Sequence, residues 1–295
     1  MDKILTKVPF IDQVLKGLGQ IMLQENSSTG LLFLIGIFLG SIEGGIGAIV
    51  STAVGTITAI LLKYNKEEIN AGLYGFSAAL VGVALAIMFD STFLIWILLV
   101  VASALAAIIQ HFFIKRNIPV FTLPFILLTW CLIFGIHHFT TIGPATAGNT
   151  QTLLETNDLF TSTNGFGEVI FQGGPMSGII FFIAVFIGSP AAALYGLAAS
   201  IFSAEISNLF GEPVEQIHMG LFGFNAVLTA IVFAGTKRID GFWVLLGVFI
   251  TVLIDVLFVK INIFASFGGV LTFPFVVGTW CTLFIKKYTD RFFGV

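Results

Sequence analysis

Three blocks of this chain occur twice, in the same order, and that duplication limits the folds open to it more than any other feature. Gly17-Leu18-Gly19-Gln20, with Gln24 and Gly30 behind it, returns as Gly165-Phe166-Gly167-Glu168 with Gln172 and Gly178. Gly72-Leu73-Tyr74-Gly75-Phe76, followed by Ala78 and Leu80, returns as Gly220-Leu221-Phe222-Gly223-Phe224, followed by Ala226 and Leu228. Both pairs stand 148 residues apart. Thr122-Leu123-Pro124-Phe125 and Thr129-Trp130-Cys131 return 150 residues later as Thr272-Phe273-Pro274-Phe275 and Thr279-Trp280-Cys281. Ordered blocks at so steady a spacing do not arise from composition. The chain is two copies of one structural unit.

The medium for those units is lipid. Of 295 residues, 57% are hydrophobic and 10% charged, against about 25% charged in an ordinary soluble domain. A water-soluble fold of this length cannot hide so much apolar surface. Apolar stretches fall at 29–42, 43–62, 71–89, 92–114 and 118–136, then at 176–188, 189–210, 219–235, 241–259 and 269–285. A helical crossing needs about 20 residues, fewer where the bilayer thins or protein covers the ends. Two shorter, glycine-flanked segments, 17–25 and 165–173, precede the two sets of five. These are expected to be re-entrant half-helices, since non-spanning backbone at membrane depth survives only when buried in protein or lining a cavity. The region 137–164 is a polar link rich in Thr, Asn and Gly. A net charge of −3 argues against a nucleic-acid partner. Met1–Lys16 does not read as a cleavable signal, and Cys131 and Cys281, inside apolar runs, do not read as a disulfide.

Charge supplies the orientation. With five crossings per set and both termini cytoplasmic, the internal segments hold Lys3, Lys7, Lys16, Lys63, Lys66, Lys115, Arg116, Lys237, Arg238, Lys286, Lys287 and Arg291. Only Lys260 of the 13 basic residues is left outside, and the link has none. The positive-inside rule therefore supports ten crossings. An odd number per set inverts the second copy relative to the first. Inverted copies place a functional site near the midplane, where their interrupted segments meet. The expected fold is an all-α polytopic membrane protein of two inverted repeats, each with five transmembrane helices and one re-entrant half-helix. The first repeat covers 1–139, an outer link 140–164 and the second repeat 165–295, together forming one pore domain.

Candidate site residues follow from the half-helices. Gln20, Leu23 and Gln24 share one helical face by their i, i+3, i+4 spacing, as do Glu168, Phe171 and Gln172. Amides and a carboxylate beside an aromatic suit a polar neutral solute, and an ionisable residue at membrane depth is a functional candidate by default. The alternative is a polar loop bonding its own backbone. Phe76 and Phe224 open the third crossing of each set, where their flanking glycines serve close packing or a pore equally. Thr122 and Thr272 precede Pro124 and Pro274, which free carbonyls at the start of the fifth crossing. Such a threonine is either one of a row of acceptors or a hydroxyl bonding back to a kinked helix. His137 and His138 have no counterpart in the second copy, where Lys287 stands, and His111 and His218 are isolated. Glu205 and Asp255 lie in apolar runs opposite Ile57 and either Ala107 or Leu105, and are expected to be buried acids paired to a hydroxyl, an amide or a neighbouring subunit. No metal site, cofactor site or catalytic triad stands out.

At these blocks the chain resembles the urea transporter family, as a bacterial member of it. That family's signature, Leu-Pro-x-x-Thr-x-Pro-Phe, appears as Ile118-Pro119-Val120-Phe121-Thr122-Leu123-Pro124-Phe125. The second copy, Gly268 through Phe275, keeps the Thr and the Pro-Phe but not the leading Leu-Pro. The half-helix blocks and third-crossing motifs look like the family's as well. Leu23 stands where Phe171 does in the other copy, and Ser77 where Asn225 does. The resemblance implies a homotrimer in the cell membrane with one continuous pore per subunit, constricted between Phe rings and lined by oxygen acceptors. It implies passive conduction of urea without cofactor or enzymatic chemistry. Urea is flat, neutral and rich in N–H donors, so its faces can stack between rings while its edge donates to Gln20, Glu168, Thr122 and Thr272. The competing readings are a channel for a short amide or ammonia, and an intramembrane enzyme using Glu168 with His137 or His138. Ammonia channels are expected to carry facing pore histidines, which these four do not form, and hydrolysis needs one asymmetric constellation rather than two similar ones.

The orientation is testable directly. A cysteine at position 155 is expected to react with an impermeant maleimide added outside cells, and one at position 115 only after permeabilisation. Labelling of position 155 solely from the cytoplasm would overturn the inverted arrangement.

Overall fold

The computed structural model describes residues 8–145 and 158–293. Within them the chain forms fourteen α-helices, in two runs of seven with the same order. In the first run α1 is Pro9–Gly19, α2 Ser27–Gly40, α3 Ile42–Leu61, α4 Lys66–Asn70, α5 Phe76–Met88, α6 Phe93–Ile114 and α7 Leu123–Phe139. In the second, α8 is Asp158–Glu168, α9 Pro175–Gly188, α10 Pro190–Leu209, α11 Val214–His218, α12 Phe224–Phe233, α13 Arg238–Ile261 and α14 Phe273–Phe293. Helices α2, α3 and α4 begin and end 148 residues before α9, α10 and α11. The all-helical expectation holds among the described residues, and each of the ten apolar stretches overlaps a helix, whereas the two short segments expected as half-helices, 17–25 and 165–173, hold only the ends of α1 and α8 and the turns after them. Residues 146–157 of the expected outer link, and Lys3 and Lys7 of the charge count, lie outside the described residues.

Three helices, α3, α6 and α13, are each long and apolar enough to cross a bilayer. The run from Pro9 to Gly40 qualifies as a fourth if its two parts, bent by 75° at the break, count as one span. Helices α5, α7, α9 and α12 are apolar but only 10–17 residues long, roughly 15–26 Å. Apolar side chains such as Phe93, Val101 and Leu245 point outward from the long helices, as a hydrocarbon surround favours. The innermost layer is α5, buried without interruption from Phe76 to Ala86, together with α12.

Several helix starts are closed by short polar side chains, which satisfy the first N–H groups that no helical carbonyl can reach. Asn26 accepts from the Ser28 and Thr29 amides at 2.8 and 3.1 Å to start α2. Ser41 accepts from the Gly44 amide at 2.9 Å to start α3, and its repeat partner Ser189 does the same for α10 at 3.3 Å to Ala192. Between α1 and α2 a 3₁₀ turn, Gln20–Met22, leads into Leu23, whose φ of 57° lies in the left-handed region. Phe171, after α8, has φ of 60° at the same place in the second copy. Phe121 and Leu271, ahead of α7 and α14, form a second such pair at 48° and 50°. Branched or bulky residues enter that region at a cost of about 1–3 kcal/mol, and do so chiefly where function or packing requires it.

The two runs meet through reciprocal contacts. Thr29 Oγ1 of α2 donates to the Ala184 carbonyl of α9 at 2.8 Å, while Ser177 Oγ of α9 donates to the Gly36 carbonyl of α2 at 3.1 Å. Phe33 and Phe181 pack edge to face with centroids 5.3 Å apart between the same helices. Trp130 Nε1 donates to the Gly269 carbonyl at 2.9 Å, and Trp280 Nε1 to the Pro119 carbonyl at 2.7 Å. When residue i of one copy meets j of the other and their repeat partners meet likewise, the copies are related by an approximate two-fold axis.

Glycine permits the tightest of these approaches. A Cβ at Gly30 would run into the Leu15 carbonyl of α1, and one at Gly178 would stand 2.5 Å from the Thr163 carbonyl of α8. Gly30→Ala is therefore expected to destabilise the purified protein by more than the 1–3 kcal/mol usual for overpacking, because backbone and not a side chain is struck. Gly135→Ala, with nothing within 4 Å of the new methyl, is the control and is expected to leave the thermal midpoint within a degree or two. Equal midpoints for the two variants would show that the α1–α2 contact has room to spare.

Candidate functional site

The two left-handed turns set the site. In each, the amide after the turn reaches back to close it: Gln24 N to the Gly19 carbonyl and Gln172 N to the Gly167 carbonyl, both at 3.0 Å. The α-helix ends at Gly19 in one copy and at Glu168 in the other. Gln20, Leu23 and Gln24 therefore do not share a helical face, and neither do Glu168, Phe171 and Gln172. The i, i+3, i+4 expectation presumed helical φ angles through Leu23 and Phe171, where the backbone turns left-handed instead.

That correction separates the polar residues. Gln24 and Gln172 are buried. Their side-chain amides donate to the Met22 carbonyl at 3.0 Å and the Ile170 carbonyl at 3.4 Å, each within its own turn. Their oxygens press on glycines of the opposite copy: a Cβ at Gly188 would stand 2.5 Å from Gln24 Oε1, and one at Gly40 would meet Gln172 Oε1. Gln20 and Glu168 remain partly accessible at the ends of α1 and α8. Gln20 Nε2 donates to the Ala71 carbonyl at 2.9 Å, which commits the donor end of the amide and leaves its oxygen to accept.

Thr122 and Thr272, both buried, bring their hydroxyls together at 2.7 Å. This contact joins repeat partners directly, so it lies on the approximate two-fold axis. Rings stand beside it: Phe121 meets Phe275 edge-on at 5.2 Å, and Phe125 meets Phe171 edge-on at 6.0 Å. Phe76 is buried and Phe224 partly so, each at the first position of its helix, and both belong to the same apolar cluster as Phe171. Among the described residues no ring contact joins Phe171 to Phe224, and the partner of Phe171 is Phe125. Leu23, at 39% exposure, stands open where Phe171 is partly covered.

One polar group was underestimated from sequence. Asn225 on α12 donates through Nδ2 to Asp255 Oδ2 on α13 at 3.1 Å and to the Leu271 carbonyl at 3.2 Å, and its Oδ1 accepts from the Phe275 amide at 3.2 Å. It thus holds both sides of the break that presents Thr272. Asp255 is fully buried and paired to an amide, as expected, whereas Glu205 is exposed on α10. In the first copy Ser77 and Gln110 take these places, with oxygens 3.4 Å apart. Helices α6 and α13 begin 145 residues apart, so Asp255 corresponds to Gln110 and not to Ala107 or Leu105. Asn opposite Ser and an acid in an apolar run were the available signals. Neither the 148 nor the 150 offset connects them.

The histidines lie elsewhere. His137 packs edge-on against Phe89, and His138 stacks on Phe134 with its Nδ1 2.8 Å from that residue's carbonyl. No cluster of three or more metal-ligating side chains occurs among the described residues.

Comparison with known proteins adds a family. The model of the urea transporter family matches residues 11–287. The chain is 31% identical over 242 residues to urea transporter 1 of Ovis aries, and 30% and 29% identical to the proteins of that name from Capra hircus and Rattus norvegicus. Each alignment covers 77% of this chain and 63% of the relative, so the chain matches less than two thirds of those relatives' length.

The Asn225 bonds are open to test. Asn225→Ala strips partners from a buried carboxyl, a carbonyl and an amide, and is expected to destabilise the detergent-solubilised protein by about 3 kcal/mol or more. Asp255→Asn keeps an acceptor toward Asn225 and is expected to cost less than about 1 kcal/mol. Comparable losses in denaturation of the two variants would mean that the acid's charge, and not the bonding of Asn225, supports the break.

Proposed function

The chain belongs to the urea transporter family, whose relatives named above are transporters and not enzymes, and from that premise we propose that it conducts urea passively across a cell membrane. The observation that carries this reading is the pairing of Gln20 with Glu168. They are repeat partners at the ends of the two half-helices, both partly accessible, with the Thr122–Thr272 hydroxyls between the copies. The shared property of an amide and a carboxylate of like size is an accepting oxygen. A solute that carries N–H donors is what such a series suits.

In this proposal the chain crosses the membrane ten times, five per copy, with the copies inverted, both termini cytoplasmic and α1 and α8 as the re-entrant half-helices. The reciprocal contacts across the two-fold axis and the distribution of basic residues support it. Subunits associate as a homotrimer in which each has its own pore. Urea enters flat between apolar walls, with Phe224 and Phe171 on one side of the centre and Phe76 and Leu23 on the other. Rings that hold a solute must stand farther apart than rings in mutual contact, in keeping with the separation of Phe171 from Phe224.

The energetics favour passage over capture. Each N–H that leaves water for Gln20, Glu168 or a threonine oxygen exchanges one hydrogen bond for another, a net effect of about 1 kcal/mol. At the centre the hydroxyl pair opens to the solute: one threonine stops donating to the other and both offer lone pairs. Ions are turned back because neither apolar rings nor two hydroxyls replace a hydration shell.

Stopped-flow urea efflux from proteoliposomes tests the assignment. Glu168→Gln keeps an accepting oxygen and is expected to retain at least a third of the wild-type flux. Glu168→Leu leaves passing donors unpaired, at about 1–3 kcal/mol each, and is expected to reduce flux by one to two orders of magnitude. A transmembrane pH gradient is expected to change neither the rate nor the end point. A folded but inactive Gln variant, or uptake driven by the proton gradient, would replace passive conduction with a coupled mechanism.

A further inference from the structure

The two copies differ at their return loops, and the difference leaves a groove in the first. After α13, the second copy runs eleven residues from Ile261 to Thr272; after α6, the first runs eight from Ile114 to Thr122. The longer loop contains the 3₁₀ turn Ala265–Phe267. It lays Phe264 flat on Trp130, with centroids 4.4 Å apart and planes at 13°, and stacks Phe267 on Phe134 at 5.5 Å. The shorter loop covers nothing comparable. Trp280 makes the matching hydrogen bond to the Pro119 carbonyl, but beside it lies a groove of about 350 Å³ lined by Ile118, Pro119, Trp280, Leu283, Phe284 and Lys287.

Those lining residues are the repeat partners, 150 positions on or back, of the surface the second copy fills with its own rings. Trp280, Phe284 and Pro119 answer to Trp130, Phe134 and Gly269. The groove is thus the unfilled copy of a pocket built to hold a large apolar group, and Phe284 is 62% exposed within it. Its polar end also differs from the filled copy: Lys287 replaces His137. Lys286 stands next to it and Lys115 and Arg116 close the facing loop, at the end of the molecule where the basic residues gather. An apolar slot with a cation at its mouth, at a membrane boundary, complements a lipid whose headgroup is negative.

We propose that this groove binds an anionic phospholipid of the cytoplasmic leaflet, with one acyl chain against Trp280, Leu283 and Phe284 and the phosphate at Lys287. The site rests on the reading that this end of the protein faces the cytoplasm, and is independent of what the pore conducts.

Quenching of tryptophan fluorescence by brominated lipids tests it, using the full chain in phosphatidylcholine vesicles doped with brominated phosphatidylglycerol or brominated phosphatidylcholine. The anionic lipid is expected to produce a saturable quenching component at a mole fraction at least fivefold lower than the zwitterionic one. Trp280→Phe is expected to abolish that component. Lys287→Gln is expected to erase the fivefold preference, and Ile118→Phe, which fills the slot as Phe267 fills its counterpart, to remove the saturable component while leaving the fold intact by circular dichroism. Equal quenching by the two lipids, or a preference that survives Lys287→Gln, would overturn the proposal. So would a Trp280 that neither lipid reaches, because a neighbouring subunit would then cover the groove. Urea efflux, measured on the same vesicles, is expected to be unchanged in Lys287→Gln and Ile118→Phe, which separates failure of the lipid site from failure of the conduction reading.

Discussion

Backbone that leaves the helix inside a membrane must satisfy its own hydrogen bonds, since lipid offers none. Where α1 and α8 of this chain end, the same left-handed turn meets that demand. Leu23 and Phe171 let the chain reverse, and the amides of Gln24 and Gln172 return to the Gly19 and Gly167 carbonyls. The glutamine side chains then bond the turns themselves and press on glycines of the other copy. With those two amides committed to holding the turns, Gln20 and Glu168 are left, in the proposed pore, as the polar side chains that face a solute. The strain at Leu23 and Phe171 is thus coupled to the placement of the candidate acceptors, because the turn both ends the helix and exposes its last polar residue.

The second constraint is closeness. Gly30 and Gly178 seat α1 and α8 against the helices that follow them, and α2 and α9 hold the copies together through Thr29, Ser177 and the Phe33–Phe181 contact. A change in any of these moves a turn, and through the turn an acceptor. The Thr122–Thr272 bond depends on the same frame. It forms across the axis only because two breaks, at Phe121 and Leu271, arrive at one point from opposite copies.

Much of this was legible in the sequence. Ten apolar stretches each overlap a helix, because helix length and hydropathy are local properties that duplication reinforces, but the short helices expected at 17–25 and 165–173 lie earlier, at Pro9–Gly19 and Asp158–Glu168. What was not legible depended on φ. Nothing about a leucine or a phenylalanine announces a left-handed backbone, so helical spacing put Gln24 and Gln172 beside Gln20 and Glu168 when the structure turns them into the opposite copy. The pairing of Asn225 with Asp255 was hidden by length. Helix α12 runs to Phe233 where α5 runs to Met88, three residues farther into its own copy. That shortening moves the register of α13 and sets Asp255 opposite Gln110, a correspondence that neither the 148 nor the 150 offset reveals.

The differences between the copies follow a rule that bears on the proposed mechanism. They concentrate in supports and keep the axial threonine pair, although Leu23 stands for Phe171 and Leu271 for Phe121 beside it. Asn225 bonds the break before Thr272 on three sides, where Ser77 and Gln110 offer the first copy one long contact. Phe264 and Phe267 cover Trp130, where Trp280 lies open. Yet the acceptors remain matched, amide against carboxyl and hydroxyl against hydroxyl. A coupled transporter needs its two ends to differ in affinity at some stage of a cycle, and that requires an element with two arrangements. In the proposed mechanism, acceptors that stay paired while their supports drift present a solute with similar bonds from either side. Passive conduction, as proposed, takes its direction from the concentration gradient, and in that reading the breaks and their buried bonds keep the acceptors still.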